Sequence, residues 1–149
     1  MNATRNEHTD VLLIEDNPGD IRLIEEAFET HSEGVTLSVV HDGIAALDFL
    51  FQRGDYGDSP TPGLVLLDLN LPRKNGDEIL EEMKNEPTLR RIPVVVLTSS
   101  QAREDVLRTY DKCANAFLTK PIDPDEFLEI IESVREFWLS TARLPDSRG

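Results

Sequence analysis

Leu64-Val65-Leu66-Leu67-Asp68-Leu69-Asn70-Leu71-Pro72 is an apolar tetrapeptide that runs into a carboxylate and then into a turn closed by proline. Four apolar residues in a row, bounded by turn residues, read as a strand buried on both faces and are too short for a helix. Asp68 therefore stands where a buried strand meets solvent. Three other apolar runs end in the same way: Val11-Leu12-Leu13-Ile14 at Glu15-Asp16, Ile92 to Leu97 at Thr98, and Ala116 to Thr119 at Lys120. In a parallel α/β sheet ligands bind beyond the carboxyl ends of the strands, so these polar ends are expected to converge on one site.

Helical periodicity fills the intervals. Asn17-Pro18-Gly19 closes the first strand, and Ile21, Leu23-Ile24 and Ala27-Phe28 recur at helical spacing. Val35 to Val40 is a β-branched strand, Asp42-Gly43 a turn, and Ile44, Leu47 and Phe49-Leu50 the stripe of a second helix. Glu78 to Lys84 predicts a third helix with Ile79-Leu80 and Met83 inward, broken by Pro87 before the strand from Ile92. Val106-Leu107 and Tyr110 mark a fourth, more polar helix. Phe127, Ile130-Ile131, Val134 and Trp138 form the stripe of a long last helix that begins after Pro121-Ile122-Asp123-Pro124. Five βα units predict an α/β fold, a doubly wound five-stranded parallel sheet with helices on both faces, flavodoxin-like in class. Residues 10 to 140 are expected to form the domain, with 1 to 9 a flexible N-terminus and 141 to 149 a C-terminal tail. The polar connection from Arg53 to Gly63 is longer than a usual helix-to-strand loop and reads as a docking loop or a tolerated insertion. Its acidic residues lack the ligand spacing of a calcium loop.

The 149 residues fit one domain with a sizeable core. The single Cys113 excludes an intramolecular disulfide and reads as a small packed side chain. No stretch has the length of a signal peptide's apolar region or of a membrane span, which predicts a cytoplasmic protein. A net charge of -14 disfavours nucleic acid and anionic membrane as partners. Lysine is confined to Lys74, Lys84, Lys112 and Lys120, with arginine carrying the other positive charges. An acidic, lysine-poor surface of this kind resembles those of proteins from salt-loving organisms.

Glu15, Asp16 and Asp68 at neighbouring strand ends would crowd three carboxylates, each like-charge pair at ~5 Å costing about 3 kcal/mol at an effective dielectric near 20. Lys120 supplies one positive charge and a divalent ion two more. Mg²⁺ suits a site of few carboxylates, a carbonyl and retained waters, and Mn²⁺ or Ca²⁺ can take its place. A metal beside a nucleophilic carboxylate, with a lysine and a hydroxyl at facing strand ends, is equipment for phosphoryl transfer. Asp68 would be the acceptor, with Mg²⁺, Lys120 and the Thr98 hydroxyl on the phosphoryl oxygens.

Glu15-Asp16, Asp68 within Leu66-Leu67-Asp68-Leu69-Asn70-Leu71-Pro72, Thr98 after Val94-Val95-Val96-Leu97, and Lys120-Pro121 occur in an order and spacing that is highly specific. Over residues 10 to 136 the chain resembles a CheY-like response-regulator receiver domain. Glu15-Asp16-Asn17-Pro18-Gly19-Asp20, the long loop before the third strand, and Trp138 with Leu144-Pro145 resemble the stand-alone regulators that partner phytochrome-type sensor kinases. The resemblance implies that Asp68 accepts a phosphoryl group from a sensor histidine kinase, that Asp16 and the Asn70 main-chain carbonyl ligate Mg²⁺, and that Glu15 acts through a bound water. It implies that Thr98 shifts toward the phosphoryl group while Phe117 turns inward, and that Lys120-Pro121 is a cis peptide. Two positions depart from the commonest pattern: Glu15 replaces an aspartate, and Phe117 a tyrosine whose hydroxyl is thereby lost. Output would pass through the face of the fourth helix, fifth strand and last helix, to a homodimer, a downstream protein or a histidine phosphotransfer protein.

Plainer readings stand beside these. Asp68 alone fits a capping aspartate, Thr98-Ser99-Ser100 a helix cap, Lys120 a solvated lysine and Phe117 ordinary core. Asp20 suits the helix dipole without a site role. His8, His31 and His41 read as surface groups, and Trp138 as a cover for the end of the last helix. A haloacid-dehalogenase-like phosphatase would also use a strand-end aspartate as nucleophile, but it places a second aspartate two residues on, where this chain has Asn70. An inert receiver-fold binding module would not need the full acceptor, metal, hydroxyl and lysine set, and a flavodoxin-like cofactor carrier would find Glu15-Asp16 repelling its phosphate.

The acid excess carries its own test. Charge screening tightens to a Debye length of ~3 Å near 1 M salt, so the melting temperature should rise between dilute and molar salt. A flat or falling curve would contradict the salt-adapted reading.

Overall fold

The computed structural model describes residues 8–29, 34–69, 71–99 and 116–141. Five parallel strands, β1 (Thr9–Ile14), β2 (Val35–Val40), β3 (Leu64–Leu67), β4 (Val94–Thr98) and β5 (Ala116–Thr119), form one sheet in the order β2-β1-β3-β4-β5. The described helices are α1 (Pro18–Glu29), α2 (Gly43–Leu50), α3 (Gly76–Lys84) and α4 (Pro124–Glu136), the last running into a π-turn at Phe137–Thr141. The helix expected around Val106 to Tyr110 lies outside the described residues, as do Cys113 and His31.

The strands read as unbroken apolar runs because both faces of the sheet are covered. Alternate side chains divide between two cores. Leu12 and Ile14, Val65 and Leu67, Val94 and Val96 pack with residues of α2 and α3. Val11 and Leu13, Leu64 and Leu66, Val95 and Leu97 pack with α1 and α4 through Ile24, Ala27, Phe28, Phe127, Ile131 and Val134. The period of two along a strand thus serves two apolar layers instead of one apolar and one wet face.

Local chemistry sets the helix starts. The Asp42 side chain accepts the Ala45 N–H at 2.7 Å, Asn75 and Glu78 form a reciprocal capping box, and Asp123 accepts the Asp125 N–H ahead of Pro124. Asp42-Gly43, read as a turn, is therefore the start of α2. The fourth strand begins at Val94 and not at Ile92, because the Ile92 N–H is spent in a turn on Leu89 and Pro93 has none to give.

The long connection after α2 is tied down. A short 3₁₀ turn at Gly54–Tyr56 stacks the Tyr56 ring 5.6 Å from Phe49, the Ser59 hydroxyl donates to the Phe49 carbonyl at 2.8 Å, and Gln52 donates to the Ser59 carbonyl. Gln52 and Gly54 take positive φ, the bend that folds the segment back on its own helix.

Gly76 opens α3 directly beneath the end of β3. A Cβ there would lie 2.8 Å from both the Asp68 carbonyl oxygen and the Leu69 Cα, backbone atoms that cannot step aside singly. The steric conflict outweighs alanine's better helix propensity. Gly76→Ala should lower unfolding free energy by about 1–3 kcal/mol in chemical denaturation, whereas an unchanged midpoint would mean that the loop beyond Asp68 is free to shift.

Candidate functional site

The strand order turns back on itself at β1, whose neighbours β2 and β3 lie on opposite sides, and a crevice opens beyond the carboxyl ends at such a switch point. Three site residues each stand one position past a strand and are still tied to the ladder. The Glu15 N–H donates to the Val40 carbonyl at 3.0 Å, the Asp68 N–H to Ile14 at 3.0 Å, and the Lys120 N–H to Thr98 at 2.9 Å. Their backbones are as fixed as the sheet.

The side chains meet there. The Lys120 ammonium donates to Glu15 Oε1 at 2.7 Å, to Asp20 Oδ2 at 2.8 Å and to Asp68 Oδ2 at 3.3 Å. Glu15 is 1% and Asp68 7% exposed, Thr98 is fully buried, and Asp16 is exposed. The second Glu15 oxygen accepts the Asn17 N–H at 3.1 Å, and the Asn17 side chain accepts the Asp20 N–H at 3.0 Å, so the β1–α1 turn is laced to the carboxylate it follows. Carboxylate oxygens of Glu15, Asp16 and Asp68 all lie within 4.8 Å of one another, a set that can hold a divalent metal ion.

Burial, reinforced by the Asp68 charge and opposed by Lys120, raises the Glu15 pKa from 4.5 to about 7. Burial works against the Lys120 ammonium, but its hydrogen bonds to Asp20 and Glu15 outweigh this and hold its pKa above the ordinary lysine value. Lys120 stays charged at any physiological pH.

The sequence matches the response regulator receiver domain over residues 11–132. The chain belongs to that family. It is 44% identical over 135 residues to the response regulator Rcp1 of a Synechocystis strain, covering 91% of this chain and 92% of the relative. Its fold superposes on the phosphorylated cyanobacterial phytochrome response regulator RcpA with a TM-score of 0.91 and 45% identity, over 93% of this chain and 99% of that one. The Mn²⁺-bound form of Rcp1 gives 0.90 and 43% over the same shares. The chain is thus a receiver-domain response regulator, a two-component phosphoacceptor with the CheY-like sheet.

Of the residues expected at this receiver's site, Glu15, Asp16, Asp68 and Lys120 come together, and Thr98 ends the strand beside β3. Phe117 pairs with Val96 and packs, partly buried, against the α2 and α3 core. Asn70 lies outside the described residues. The expected cis peptide is corrected: no peptide bond among the described residues is cis, so Lys120-Pro121 is trans. An X–Pro bond leaves cis only a weak handicap of about 0.5–1 kcal/mol, so local packing decides, and here the lysine reaches its carboxylates with the bond trans. Asp20, assigned to the helix dipole, is a direct partner of Lys120. Its four-residue offset from Asp16 across the helix start is the signal that could have placed it.

A carboxyl with a raised pKa must lose its proton before it helps a cation. Metal affinity should therefore rise with pH below about 7, by at most tenfold per unit, and level off above it. The same sign means that Glu15 favours the metal-free fold below about 4.5 and loses that contribution as pH rises through about 7. Calorimetric titration with Mn²⁺ from pH 6 to 8 should show proton release at the acid end; a pH-independent affinity would mean Glu15 is already ionised.

Proposed function

We propose that Asp68 is the phosphoacceptor of a stand-alone response regulator and takes its phosphoryl group from a histidine of a sensor kinase, one of phytochrome type. The observation that carries this is the Lys120 ammonium bridging Asp68 and Glu15, with Asp16 in the same carboxylate set. A phosphorylated relative at 45% identity and a Mn²⁺-bound one at 43% support it.

An Asp68 carboxylate oxygen attacks phosphorus, the bond from the kinase imidazole nitrogen breaks, and that nitrogen keeps the electron pair and takes a proton. Mg²⁺, held by Glu15, Asp16, Asp68 and the Asn70 carbonyl, would supply charge neutralisation for the phosphoryl oxygens, as Mn²⁺ or Ca²⁺ would in its place. Lys120, already directed at Asp68 Oδ2, turns that arm to a phosphoryl oxygen. Thr98 offers its hydroxyl, and Phe117, partly buried, follows its movement inward.

The chain acts as a signalling phosphoacceptor and not as an enzyme on other substrates, its turnover limited to its own phosphorylation and dephosphorylation. It works in the cytoplasm; among the described residues no helix is long and apolar enough to cross a membrane. The domain spans residues 10 to 140. The edge of β5 with α4 carries the output, to a second copy of the chain, a downstream protein or a histidine phosphotransfer protein. Exposed Phe137, edge-on to Trp138 at 5.2 Å, stands at that end of the molecule.

Incubation with acetyl phosphate and Mg²⁺ should add one phosphoryl mass that survives acid and is lost in alkali, absent in Asp68→Asn and after chelation. Size-exclusion chromatography of the same samples reads any change in assembly. Phosphorylation that persists in Asp68→Asn would overturn the assignment.

A further inference from the structure

Lys120 has three ammonium protons, and three carboxylates take them. Glu15 and Asp68 belong to the set that can hold a metal ion; Asp20 does not. Its bond to Lys120 at 2.8 Å is shorter than the 3.3 Å bond to Asp68. The Asp20 side chain is a quarter exposed and Lys120 only a tenth, so the pair sits at the rim of the pocket, with water on its outer side. Nor is Asp20 held there by chance of rotamer alone. Its N–H is fixed on Asn17, whose own N–H is fixed on Glu15, so the turn that delivers Asp20 is anchored to another partner of the same lysine.

We propose that Asp20 is a positioning residue that restrains Lys120 and so sets how readily the phosphorylated state forms. This rests on Asp68 being the phosphoacceptor. When Asp68 carries a phosphoryl group, the charge drawing Lys120 inward grows, and the ammonium must divide itself anew between the phosphoryl oxygens and the carboxylates. Glu15 lies on the inner side and moves with that demand. Asp20 pulls toward the rim. Asparagine keeps the shape and an acceptor oxygen but removes the negative charge, so the ion pair is lost and only a weaker bond from the ammonium to a neutral oxygen remains.

The expected result is that Asp20→Asn reaches half-maximal phosphorylation, read by intact mass at steady state, at about fivefold lower acetyl phosphate than the unaltered chain in the same Mg²⁺. Asp20→Glu, which keeps the charge, should stay near the unaltered value. In a Lys120→Met background Asp20→Asn should change nothing, because the residue acts through the lysine; a merely structural role would shift both backgrounds alike. An unchanged half-maximal concentration in Asp20→Asn, or an equal shift in the Lys120→Met background, overturns the proposal while leaving Asp68 as acceptor. Failure of the unaltered chain to be phosphorylated on Asp68 overturns the underlying reading instead. Melting temperatures of all variants, measured alongside, separate loss of fold from loss of restraint.

Discussion

One ammonium group holds the working end of this molecule together. Lys120 crosses from β5, at one edge of the sheet, to carboxylates that follow β1 and β3 and to one in the first turn of α1. Such a charge is expensive to bury unless it is paired, and leaving a buried pair with one partner missing costs about 3–5 kcal/mol. Each partner is therefore needed by the others. The pairing is possible because the three residues immediately past β1, β3 and β5 remain in the hydrogen-bond ladder, so the sheet itself fixes the distances between them.

Charge balance then decides what the site can do. Glu15, Asp16, Asp20 and Asp68 bring four potential negative charges to a single lysine. Part of the excess is relieved by a proton on Glu15, whose burial favours the neutral form near pH 7. A divalent cation relieves it more completely and displaces that proton. The same pocket thus has two ways of meeting its surplus.

Much of this could be read from the sequence, for identifiable reasons. Strands buried on both faces announce themselves as apolar runs, and the polar residue that ends each run marks a carboxyl end. Glu15, Asp68, Thr98 and Lys120 were legible on that ground alone. Strand order was not, since nothing in β2 or β5 states which neighbour it takes. Asp20 was hidden because an acidic residue in a helix's first turn already has a sufficient local reason to be there. The Ser59 hydroxyl and Gln52 amide that pin the long loop were hidden too, because side-chain bonds to backbone leave no periodic trace. The isomer of Lys120-Pro121 was inferred from family resemblance, and proline's weak preference gave the sequence no means of fixing it.

The longer side chain at position 15 is where these strands of reasoning meet. With one more methylene than aspartate, Glu15 reaches Lys120 with one oxygen while the other accepts the Asn17 N–H, and it does so almost wholly shielded from water. An aspartate on the same backbone, itself fixed to Val40, would have to give up one of those contacts or move the strand end. The substitution thus ties the lysine, the α1 turn and the metal-binding carboxylates into one network. Asp20 belongs to that network through Asn17 as well as through Lys120. Both acidic residues share with Asp68 the one ammonium group of Lys120.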